Sequence, residues 1–110
     1  MKNIFTALIL FLAVGANAQD LNKTIEDPNR HKHVMLNLCT RDSVTSFPEF
    51  KASYDANYAA YKVDSTAVDE LAKLMKDKKV TIVLGTWCGD SKYQVPNFLK
   101  IMDALKVEED

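Results

Sequence analysis

Trp87-Cys88-Gly89-Asp90-Ser91 is the stretch of this chain best suited to chemistry. A cysteine reacts as its thiolate, and the free thiol has a pKa of about 8.5. Whatever holds the anion turns the residue into a nucleophile near neutral pH. Cys88 stands where the apolar run Val80 to Leu84 gives way, through Gly85, to a helical pattern. The start of a helix offers unpaired N–H groups and a partial positive charge, both of which stabilise an anion. Ser91 adds a hydroxyl able to donate to the sulfur. Asp90 adds a charge that opposes ionisation. The balance predicts a modest lowering of the thiol pKa. Trp87 would shield the sulfur and offer a flat contact to a substrate chain. The candidate site is therefore Cys88 as nucleophile and Ser91 as its hydrogen-bond partner, with Trp87, Gly89 and Asp90 as substrate contacts. The competing reading is an inert buried cysteine. Its place between Gly85 and Gly89, at an element boundary and after a tryptophan, counts against that.

The other reactive side chains are weaker candidates. His31 and His33 stand at i and i+2 with no further ligand nearby, so they read as part of a solvated segment and no metal is expected. Cys39 lies in an apolar run and reads as structural. A Cys39–Cys88 disulfide is compatible with an oxidising compartment, but its geometry is not fixed by sequence. Phe50, Tyr54, Tyr58 and Tyr61 make one aromatic stripe, read as packing rather than as a peptide-binding surface. With three glycines in the chain, no phosphate-cradling loop is present, and no cofactor is implied. Asn22-Lys23-Thr24 has the spacing of a glycosylation sequon.

Several elements must position the site. Thr40 is an N-cap for a short helix from Arg41. Pro48 suits the first turn of a second helix running to about Tyr61. Asp64-Ser65 starts a third, in which Val68, Leu71, Ala72 and Met75 share a face and Lys76, Lys78 and Lys79 crowd the C-terminal end. Val80 to Leu84 reads as a strand buried on both faces, as in a parallel sheet covered by helices. A last helix over 91–105 presents Val95, Leu99 and Met102, widened by Phe98, Ile101 and Leu105, and Pro96 should kink it. Val34 to Cys39 is too short for periodicity to decide between strand and helix end. The order predicts an α/β layer fold.

The chain of 110 residues fits one domain. Its start has the form of a secretory signal over 1–18: Lys2, an apolar block from Ile4 to Val14, and Ala16-Asn17-Ala18 as a cleavage pattern. The block is too short for a membrane span, which needs about 20 residues. An exported protein is expected, periplasmic or extracellular, with no stable membrane span once the signal is removed. Without Lys2 the 14 basic residues become 13 against 15 acidic ones, a formal charge of about −2 that argues against nucleic acid as a partner. Residues 19–33 are polar and expected to fray, leaving 34–110 as the folded part.

The segment "TWCGDSKYQVP" resembles the active-site segment of the thioredoxin-like superfamily, W-C-G-P-C-K-x-x-x-P. Trp87, Cys88, Gly89, Lys92 and Pro96 match in register. With Thr40-Arg41-Asp42, Phe47, Phe50, Tyr54 and Tyr58 upstream, the chain is similar to exported thioredoxin-family proteins of Bacteroidetes-type bacteria over roughly residues 34 to 110. The resemblance implies a thioredoxin-like α/β fold that stops after the active-site helix, before the family's C-terminal β-hairpin and helix, and hence an incomplete chain. It also implies thiol–disulfide exchange with protein or small-molecule thiols and disulfides. Two departures matter. Asp90 replaces the family's proline, and Ser91 replaces the second cysteine, which resolves the mixed disulfide. The buried acidic proton relay of many thioredoxins falls at Ile82. Two functions follow: a monothiol exchange protein acting through Cys88, or a thioredoxin-fold binding and scaffold module without turnover.

Overall fold

The computed structural model describes residues 20–107 and 109. The expected leader at 1–18 lies outside the described residues. In chain order the elements are β1 (Lys23–Asp27), β2 (Lys32–Leu36), α1 (Arg41–Ser46), α2 (Pro48–Ala60), α3 (Ser65–Met75) and α4 (Gly89–Ala104). The class is mixed α/β, with four helices and one two-stranded sheet among the described residues.

The segment expected to fray is instead the first strand. β1 and β2 pair antiparallel with Ile25 opposite Val34. The Asp27-Pro28-Asn29 signal is their turn: the Asp27 Oδ1 accepts from the Asn29 amide at 2.8 Å and the Arg30 amide at 3.3 Å. His31 closes it with φ of 51°. β1 is exposed along nearly its whole length, so it carries no apolar alternation to read. Its order comes from the ladder with β2 and from Asn22. The Asn22 amide donates to the Leu38 carbonyl, and its Oδ1 accepts from the Thr40 amide at 2.7 Å.

The helix starts follow local chemistry. Thr40 caps α1, its side chain accepting from the Ser43 amide, and Pro48 opens α2. The Asp64 Oδ1 accepts from the Thr66 and Ala67 amides at the head of α3. Each cap satisfies N–H groups that have no carbonyl one turn back.

The core is small. Val44, Phe47 and Phe50 pack with Val95 and Leu99 of α4, flanked by Met35, Cys39, Tyr54, Ile82 and Leu84. Phe50 is fully buried. The aromatic stripe of α2 thus serves packing, with Tyr54 and Tyr58 ring centroids 5.3 Å apart. α3 is the exception: it buries no residue, and Leu71 and Leu74 of this helix are exposed.

The strand expected at 80–84 does not form. No strand pairs with it among the described residues, and Val83 is 95% exposed. A β-branched run becomes a strand only when a neighbour takes its amides and carbonyls. Just past it β2 is reached through a side chain instead: the Met35 amide donates to the Thr86 Oγ1 at 3.3 Å. Along the same segment lies an open groove of about 1080 Å³, walled by residues of 77–84, Met35, Val44, Val95 and Leu99.

Candidate thiol site

Thr86 fixes the approach to the site. It is 3% exposed and holds β2 against the loop that leads into α4. The loop turns at once, the Cys88 amide donating to the Gly85 carbonyl at 2.9 Å. Gly85 leaves room for the neighbouring indole, because a Cβ there would lie 3.1 Å from Cε2 of Trp87. Cys88 then becomes the N-cap residue of α4, with extended φ and ψ of −81° and 127°.

Its sulfur is partly exposed and is not tied into a capping hydrogen bond. The Ser91 amide, the Ser91 hydroxyl and the Asp90 amide stabilise the thiolate, in that order, and lower the pKa from its ordinary value; slight burial and the Asp90 charge oppose them. Ser91 suits this role. Its Oγ accepts from the Gly85 amide at 3.1 Å, which leaves the hydroxyl proton free to donate. A Cβ at Gly89 would stand in open space.

Trp87 is 49% exposed and stacks under the guanidinium of Arg30, 4.1 Å from the ring centroid. Sequence reasoning missed this partner, because Arg30 belongs to the hairpin turn that was expected to fray. Lys92, whose amide donates to the Cys88 carbonyl, lies one turn into α4.

Cys39 and Cys88 are both free thiols. Cys39 sits among its own neighbours, its sulfur 3.6 Å from the Leu36 carbonyl and 3.7 Å from that of Asn37. Burial pushes its pKa up. The two cysteines are therefore opposites, one held toward the anion and one toward the thiol. His31 and His33 are both exposed. Among the described residues, no group of three His, Cys, Asp or Glu side chains is placed to hold a metal ion. No helix among them is long and apolar enough to cross a membrane.

α4 carries the site on a well-anchored base. Pro96 is fully buried inside it. Lacking an N–H, it leaves the Lys92 carbonyl without its helical donor. Asn57 of α2 supplies the replacement, its Nδ2 donating to that carbonyl at 3.1 Å. At the far end Lys100 donates to the Tyr58 and Tyr61 carbonyls, each at 2.7 Å, capping α2 from α4.

Comparison with family models, curated proteins and solved structures finds no match for this chain.

Proposed function

We propose that this chain is an exported thioredoxin-like protein that performs thiol–disulfide exchange through the single nucleophile Cys88. The observation that carries the reading is the placement of a partly exposed sulfur at the first turn of α4, where the Ser91 and Asp90 amides lower its pKa. In the exchange the Cys88 thiolate attacks one sulfur of a disulfide R–S–S–R. A Cys88–S–S–R bond forms, the original S–S bond breaks, and RS⁻ leaves and takes a proton from water. The Cys88 sulfur is oxidised and the departing sulfur reduced. Ser91 cannot resolve the product, so a second thiolate R′S⁻ from outside must attack the R sulfur. That releases Cys88 as thiolate and R–S–S–R′. No metal or organic cofactor takes part.

Trapping with a small disulfide tests this. Mass spectrometry should find one adduct, on Cys88, that added thiol removes, and Cys88→Ser should abolish it. Labelling confined to Cys39, or none at all, overturns the reading. A second reading, a binding module without turnover, is favoured by Ser91 where dithiol members carry a thiol and by the groove along 77–84. Ser91→Cys separates the two. The exchange reading expects that variant to reduce disulfides by the ordinary dithiol route; the binding-module reading expects no gain.

A further inference from the structure

A recess of about 230 Å³ is lined by Arg30, Lys32, His33, Glu49, Trp87 and Lys92. Three elements build it: the hairpin turn with β2, the first turn of α2, and the first turns of α4. Two of its lining residues flank Cys88 in the chain. Trp87 precedes the cysteine in the chain. Lys92 stands four residues after it, which places the two on one side of the helix start. Arg30, Lys32 and Lys92 are cationic and only Glu49 among the lining residues is anionic. Asp27 takes one Arg30 donor at 2.7 Å, leaving the rest of a planar five-donor fork on the face of Trp87. No ion pair engages Lys32 or Lys92 among the described residues. The chain as a whole has a formal charge of −1, so this concentration of cations around one indole departs from its average.

We propose that this recess selects disulfides bearing a carboxylate near the exchanged sulfur. The carboxylate is taken by Arg30, Lys32 and Lys92 while the apolar part of the substrate lies against Trp87. This rests on Cys88 being the nucleophile. The chemistry is the exchange already written: the bound disulfide is the oxidant, Cys88–S–S–R is formed, and the leaving thiolate carries the second carboxylate away. Glu49 and Asp90 work against the preference, which gives the test two signs.

The full chain carrying Cys39→Ser, so that Cys88 is the sole thiol, is reacted with two aromatic disulfides. One is the dianionic 5,5′-dithiobis(2-nitrobenzoate) and the other the uncharged 4,4′-dithiodipyridine. The readout is the ratio of the two rates, divided by the same ratio for a neutral blocked cysteine. That normalised ratio should exceed one. A single charge at this range is worth about two- to threefold in water. Lys32→Gln should lower the ratio by that factor, and Arg30→Gln with Lys32→Gln by about fivefold or more. Glu49→Gln should raise it. Salt raised from about 0.01 M to about 0.5 M should collapse it toward one. A variant that unfolds also drifts toward a ratio of one, so each is checked for the parent's circular dichroism and urea midpoint, and the rise expected of Glu49→Gln is an outcome unfolding cannot imitate. If Cys88 reacts briskly with both disulfides but the ratio ignores Lys32, Glu49 and salt, the recess assignment is wrong and the nucleophile stands. If neither disulfide modifies Cys88, both are wrong.

Discussion

Two amides and one hydroxyl favour the thiolate of Cys88. Because the thiol's pKa in the folded chain lies below its ordinary value, the thiolate persists to lower pH than in an unfolded chain. Alkylation by iodoacetamide, followed against pH at Cys88, should show its midpoint below about 8.5. Ser91→Ala removes the hydroxyl and should raise that midpoint. Asp90→Asn removes the opposing charge and should lower it. A parent midpoint at or above the free-thiol value leaves Cys88 a passive residue. The same titration at Cys39 should run the other way, its midpoint above about 8.5, since burial disfavours its anion.

At the scale of elements, α2 and α4 hold the site by repairing each other. Pro96 and the Asn57 side chain make a matched pair, the one vacating the Lys92 carbonyl and the other occupying it. Asn57→Ala should cost about 1–2 kcal/mol, read as a lower urea midpoint at unchanged slope. Pro96→Ala restores the helical donor, so the two substitutions should couple, with the loss from Asn57→Ala smaller in the Pro96→Ala background. Equal losses in both backgrounds would mean the Asn57 bond does no more than decorate the interface. Lys100 plays the reciprocal part for α2, neutralising the negative end of that helix with a cation. The helices were legible in the chain because caps act within three residues. Thr40, Pro48 and Asp64 each start the helix expected of them. α4 begins at Gly89, earlier than the expected residue 91, because Cys88 itself is the N-cap. β1 was illegible because an exposed strand carries no apolar alternation.

On the scale of the molecule, α1 is tied to the C-terminal part of the described chain through Arg41, which pairs with Asp103 and Glu109. Arg41 at the head of α1 grips Asp103 near the end of α4 with two bonds of 2.6 Å. The Tyr58 hydroxyl donates to the same carboxylate at 2.5 Å. Arg41 foremost, then Tyr58, holds the Asp103 carboxyl below its ordinary range against the cost of burial. A depressed carboxylate stabilises the fold above its unfolded pKa of about 3.9 and loses that contribution as pH falls through the lower folded value. Asp103→Asn should therefore destabilise at neutral pH, by about 1 kcal/mol given the solvent reaching the pair. The deficit should shrink as pH falls below about 3.9 and through the lower folded value, in urea melts of the two proteins side by side. A deficit that persists in acid would assign the loss to packing.

The residue order alone determined the helix starts and placed a cysteine at the head of α4, because caps and dipoles act between neighbours in the chain. The fate of Val80 to Leu84 was decided only in three dimensions: its composition is that of a strand, yet pairing is a property of two segments and, among the described residues, no second one takes its backbone. The same holds for Arg30 on Trp87, Asn57 on the Lys92 carbonyl and Arg41 on Asp103. Each joins groups far apart in sequence, so it depends on the path of the chain between them and leaves no trace in the spacing of residues along it.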